Sequence, residues 1–161
     1  RHTENMIKVI AFDLDDTLIL PNPEYTEEIS QYKLLACIFK VEKLQLGTKE
    51  IFHFFEEENC ELWIYTTSFR SIRYIKWLFL VHGIKLQGIV NQDIHKKNVS
   101  LNISKYPPAF NIDILIDDSK GVLIEGKQNN FKVIQIHPDN LNWVKKVKED
   151  FYRIKNEISF D

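Results

Sequence analysis

The chain has 161 residues, 44% of them hydrophobic and 27% charged, with a formal net charge of -2. That length suits one domain with its own core, and the near balance of charge argues against a strongly basic nucleic-acid surface, although local basic clusters leave a polyanionic partner open. No apolar run approaches the ~18 residues of a membrane span and no secretory signal is legible, so a cytoplasmic protein is expected.

Met6 reads as the natural start, with residues 1–5 an addition and residues 6–161 a single domain. Residues 7–12 form a mostly apolar, β-branched run that reads as a buried strand. It ends at Asp13, Asp15 and Asp16, followed by Thr17. Pro21 and Pro23 break regular structure. Residues 24–39 then read as a helix, with Ile29, Tyr32, Leu35, Ala36 and Phe39 at helical spacing. Gly47 and Thr48 end that segment and cap a second helix reaching about residue 59, whose phenylalanines face a core. Cys37 and Cys60 form no CxxC pair and are expected as small buried or half-buried thiols.

Residues 61–65 are a second strand, ending in Thr66, Thr67 and Ser68, and a helix follows up to Gly83. Residues 88–91 are a short third strand, and residues 92–112 a loop with at most one short helix. Residues 113–116 are a fourth strand running into Asp117 and Asp118. A helix over 121–130, a fifth strand over 131–136 and a last helix starting at Pro138 complete the chain. Strands alternating with helices predict an α/β, three-layer Rossmann-like fold with a mainly parallel five-stranded sheet.

In such a sheet the polar ends of strands one, two and four lie on the same side, where open parallel sheets bind ligands. Asp13, Asp15, Asp117 and Asp118 then converge, and buried carboxylates that close together need a positive partner. A divalent cation, Mg²⁺ by its preference for oxygen ligands and its habit of bridging to phosphate, is the expected answer.

These residues resemble the motifs of the haloacid dehalogenase (HAD) superfamily of aspartate-nucleophile hydrolases. The DxDxT motif stands as Asp13-Leu14-Asp15-Asp16-Thr17, the strand-ending threonine as Thr66, and the acidic pair as Asp117-Asp118. The motif lysine is Lys105, just before Tyr106-Pro107-Pro108, with Lys97 and Lys96 as alternatives. The resemblance implies a Mg²⁺-dependent phosphatase acting on a phosphorylated substrate. Asp13 is then the nucleophile and Asp15 the general acid and base. The metal is held by Asp13, Asp15 through its backbone carbonyl, and Asp118, with Asp117 behind them. Thr66 and Lys105 bind phosphate, with Leu14 and Thr67 offering backbone N–H groups. Within the family an Asp at position 15 argues for a phosphatase rather than a dehalogenase or an ion pump, and Asp16 is a solvated or helix-capping bystander.

Residues 21–46 leave room for a small helical flap but not for a full cap domain. Arg70 is a candidate contact to an anionic substrate near the mouth, whereas Arg73, His95 and His137 read as surface residues. Two other classes share part of this constellation: a phosphoacceptor receiver-like signalling domain, and a catalytically inactive HAD-like binding protein.

Overall fold

The computed structural model describes residues 6–22 and 24–160, so the expected addition at residues 1–5 lies outside the described residues. Five strands form one sheet: β1 (Val9–Phe12), β2 (Glu61–Tyr65), β3 (Gly88–Val90), β4 (Ile114–Asp117) and β5 (Lys132–Gln135). Their order is β3-β2-β1-β4-β5, and each pairing is parallel. Parallel strands are covered on both faces, which is why β1 reads as an unbroken apolar run. Alternation still sorts its residues. Ile10 and Phe12 join one core with Leu62, Ile64, Ile114 and Ile116, while Val9 and Ala11 join the other with Tyr65, Leu115 and Val122.

Among the described residues six α-helices flank the sheet, the last of them after β5: α1 (Lys33–Ile38), α2 (Thr48–Glu57), α3 (Ile72–Val81), α4 (Gln92–Asn98), α5 (Lys120–Asn129) and α6 (Trp143–Ser159). The larger core lies under α2, α3 and α6, with Phe12 stacked on Phe52 and Phe52 on Phe79. The smaller one takes Val122 of α5 and Ile94 of α4. The molecule is thus the expected α/β sandwich of helices around a parallel sheet. Gly88 pairs with Trp63 across β2 and β3, and a Cβ there would meet the indole at 2.3 Å, so that edge of the sheet tolerates only glycine.

Several local expectations are corrected. The helix read over residues 24–39 shrinks to α1, which begins after Tyr32 in left-handed backbone (φ 53) and buries only Ala36. The preceding residues stay out of the helix because they are held from a distance. Glu27 N–H donates to the Leu44 carbonyl, Thr26 bridges Gln45, and the Glu27 carboxylate accepts from Gly47 N–H and Lys49 N–H, each at 3.0 Å. The capping residue of α2 is therefore Gly47 (φ 99), its N–H partner supplied by Glu27, and Thr48 is the first helical residue. β1 starts at Val9, because Asp113 takes the N–H groups of Lys8 and Val9. Helix α6 starts at Trp143, five residues after Pro138. Cys60 is buried as expected, but Cys37 is exposed on α1. No helix among the described residues is long and apolar enough to cross a membrane.

Candidate active site

The site forms where β1 and β4 end side by side. Phe12 registers with Ile116, so Asp13 comes level with Asp117, and Asp13 N–H donates to the Ile116 carbonyl at 2.8 Å. Both aspartates continue the alternation that places Ala11 and Leu115 in the smaller core, and they are 7% and 1% exposed. Lys105 enters from the loop after α4, and its Nζ donates to Asp13 Oδ1 and Asp117 Oδ2, both at 2.6 Å. Of the three lysines considered, this is the buried one; Lys97 is exposed and Lys96 lies over the Phe69 ring.

Thr17 ties the acids together. Its hydroxyl lies 3.1 Å from Asp13 Oδ2 and 3.2 Å from Asp118 Oδ1, and accepts from Asp118 N–H. Asp117 has both oxygens engaged, one by Lys105 and one by Ser119 N–H at 2.9 Å. Asp13, Asp117 and Asp118 carry oxygens within 4.8 Å of one another. Three carboxylates against one ammonium leave an excess of negative charge in a place with little water. Burial accordingly pushes the Asp13 carboxyl up to about 6 despite Lys105, and raises Asp117 as well. Burial alone would lower Lys105, but the two carboxylates outweigh it and hold it above its ordinary value. An all-oxygen donor set with surplus charge is what a hard divalent cation requires.

Lys105 is itself positioned by groups the sequence reading missed. Its Nζ sits 6.0 Å from the centre of the Tyr65 ring. The Tyr65 hydroxyl accepts from Tyr106 N–H at 2.9 Å and meets His95 Nδ1 at 2.5 Å, while His95 Nε2 meets the Ile103 carbonyl at 3.0 Å. One neutral tautomer, protonated on Nε2, satisfies both contacts of the imidazole, and burial keeps His95 below the ordinary histidine value. His95 is therefore not a surface residue: it is 6% exposed and anchors the loop that delivers Lys105. His137 is exposed, as expected.

Asp15 and Asp16 leave this buried cluster. The chain turns back after Leu14, with Asp16 exposed in left-handed backbone (φ 61), and no helix follows for it to cap. Asp15 faces Arg70, which approaches end-on with Nη1 at 2.9 Å from Oδ2 and Nη2 at 2.8 Å from Oδ1. The other edge of the same guanidinium grips Glu42, with Nε at 3.0 Å and Nη2 at 2.8 Å. Thr66 is buried at the end of β2, where its Oγ1 meets Ser68 Oγ at 3.0 Å; Thr67 beside it is exposed. The structure thus gathers Asp13, Lys105, Asp117 and Asp118 into one cluster, sets Asp15 and Arg70 as a pair at its rim, and gives Thr66 a local partner in Ser68.

No family model matches the sequence, and no curated protein matches it. Among solved structures the chain is similar to a predicted HAD-like family hydrolase from Porphyromonas gingivalis, at a TM-score of 0.50 and 13% identity, over 91% of this chain and 98% of that one. At that identity the likeness speaks for architecture alone, and the architecture of this chain is a HAD-like, Rossmann-like α/β fold.

Proposed function

We propose that the protein is a Mg²⁺-dependent phosphohydrolase of the HAD type, without a full cap domain, that cleaves phosphate monoesters through an aspartyl-phosphate on Asp13. The observation that carries this reading is the Asp13 carboxylate at the end of the central strand, held between Lys105 and Thr17 with Asp117 and Asp118 alongside. Asp13, the Asp15 backbone carbonyl and Asp118 would hold the metal. Asp117, with both oxygens already engaged, would support it from behind. The bound cation would offset charge on the phosphoryl oxygens. An oxygen of Asp13 attacks phosphorus, the P–O bond to the ester oxygen breaks, and Asp15 gives that oxygen a proton. Water then attacks the same phosphorus, Asp15 takes its proton, and the bond to Asp13 breaks to free inorganic phosphate. Lys105, through the N–H not given to Asp13 and Asp117, and Thr66, by releasing Ser68, would bind phosphoryl oxygens in both steps.

A receiver-like phosphoacceptor is less well supported. The sheet order here is that of the Rossmann halves, 3-2-1-4-5, and not the 2-1-3-4-5 of receiver domains. The decisive experiment is release of inorganic phosphate from p-nitrophenyl phosphate and a panel of phosphorylated metabolites, phosphopeptides and oligonucleotides, with and without Mg²⁺. Wild type is expected to turn over in a Mg²⁺-dependent way, and Asp13→Asn to fall to background while remaining folded. Unchanged turnover in that variant would remove the nucleophile assignment, and absence of turnover on every ester would favour a binding role.

A further inference from the structure

Arg70 uses all of its hydrogen-bonding capacity on this chain. Its five N–H groups go to both oxygens of Asp15, both oxygens of Glu42 and the hydroxyl of Ser68. No donor is left over for a substrate. Glu42 is fixed in turn by Tyr74, whose hydroxyl donates to Glu42 Oε2 at 2.8 Å and accepts from Glu42 N–H at 3.1 Å. The Arg70 carbonyl accepts from Asn91 Nδ2 at the end of β3. Asp15, by contrast, is half exposed, and among the described residues its carboxylate has no hydrogen-bond partner except Arg70. Its orientation is therefore borrowed. A planar guanidinium presents two edges, and here one edge reads Asp15 while the other reads Glu42, which belongs to the segment between β1 and α2.

We propose that Arg70 is a positioning residue for Asp15 in its ionised form, the form that takes the proton of the attacking water, and that Glu42 holds Arg70 in place, so that the path of residues 24–46 sets the direction of that carboxylate. The inference rests on the phosphohydrolase reading for its kinetic consequence, but the clamp itself does not. Since Arg70 acts through Asp15, its removal harms turnover only while Asp15 is there to be aimed. On p-nitrophenyl phosphate with saturating Mg²⁺, where the leaving group needs no acid, Arg70→Gln is expected to lower kcat about tenfold with no rise in KM, a fraction of the ~100-fold or more that a general base supplies in hydrolysing the intermediate. Glu42→Gln, which keeps the shape and removes one of the two charges, lowers kcat by about threefold. In an Asp15→Asn background Arg70→Gln adds no further loss beyond about twofold, because the two act as one unit. A rise in KM caused by Arg70→Gln in that background would mean that Arg70 touches substrate, and would overturn the proposal. So would a wild-type kcat in Arg70→Gln. A second measurement needs no turnover: in ¹⁵N-arginine-labelled protein the Arg70 guanidinium shows hindered rotation, lost in Asp15→Asn and weakened in Glu42→Gln. Free rotation in wild type would end the clamp whatever the protein catalyses. Hindered rotation without turnover of any ester would leave the clamp standing and remove the phosphohydrolase reading instead.

Discussion

Lys105 stands between Asp13 and Asp117 with its side chain 3% exposed, whereas Arg70 stands between Asp15 and Glu42 with its side chain 20% exposed and that of Asp15 52% exposed. Each is one cation shared by two carboxylates, yet the surroundings give the two groups different physics. Around Lys105 little water reaches the groups, so each ion depends on the others for solvation. Around Arg70 water competes, so the contacts cost little to break and serve direction more than stability. Burial shows in the proton affinities as well. It raises Asp13 and Asp117 against the pull of Lys105. At Glu42 burial also pushes upward, but hydrogen bonds from Arg70 and Tyr74 and the charge of Arg70 prevail and hold it below the ordinary value. On the proposed function, the nucleophile Asp13 would occupy the first environment and the acid/base Asp15 the second.

The largest contrast is expected on removing each cation. Without metal, Lys105→Met should cost about 3–5 kcal/mol in urea unfolding, because it strands two buried carboxylates, while Arg70→Gln should cost less than ~1 kcal/mol. Equal losses in the two variants would show that burial does not separate the clusters.

A second test uses protons. Burial lifts the folded Asp13 carboxyl to about 6 against an ordinary value of 3.8, so between about pH 4 and pH 6 the metal-free folded state holds a proton that the unfolded chain has released. Its stabilising contribution is complete below about pH 4 and disappears as pH rises through about 6, an effect of order 1–3 kcal/mol. His82 and His95, which burial holds below the ordinary histidine value, act in the opposite sense over a nearby range. The reading is therefore the difference between Asp13→Asn and wild type, measured without metal. The variant should gain on wild type from about pH 4 to pH 7 and level off above that, and Mg²⁺ should cancel that gain by stabilising wild type alone. A difference that stays flat with pH would mean that Asp13 is ionised throughout.

How much of this was legible from sequence differs between the same two clusters. β1 and the acids after it are a local signal, since an apolar β-branched run followed by DxDxT needs no knowledge of distant residues. The other acidic pair is equally local at the end of β4, and parallel pairing alone brings the two together. The Arg70 clamp is not local. Arg70 and Glu42 are 28 residues apart, and their meeting depends on residues 24–32 not being helical. The apolar spacing there imitated a helix, but Tyr32, Leu35 and Phe39 remain exposed, and Glu27 is committed to the N–H groups at the start of α2. His95 was misjudged for a similar reason: its partner is a tyrosine hydroxyl 30 residues earlier, on a neighbouring strand.

A smaller effect sharpens the account of the buried cluster. Ser119 supports it twice, by donating its N–H to Asp117 Oδ1 and by accepting from Val122 N–H as the cap of α5. Ser119→Ala removes only the second contact and should cost about 1 kcal/mol. Mg²⁺ affinity and kcat should stay at wild-type values, because the contact to Asp117 comes from the backbone. A loss of Mg²⁺ affinity in this variant would show that the helix terminus, and not the N–H alone, holds Asp117 in place.

The smallest expected effect is the one that separates the two clusters by mechanism. Glu42→Gln should cost under ~1 kcal/mol, and raising NaCl from 0.1 to 1 M should shrink that cost, because the screening length falls from about 10 Å to about 3 Å and water reaches the Arg70 pairs. The Lys105→Met cost should hardly move over the same range, since salt screens weakly a pair in which Lys105 and Asp117 are 2% and 1% exposed. The two salt slopes, measured by urea unfolding of each variant against wild type, report solvent access directly. If the Glu42 cost proved as insensitive to salt as the Lys105 cost, Arg70 would have to be read as part of the fixed interior, and the contrast between the two clusters would fall.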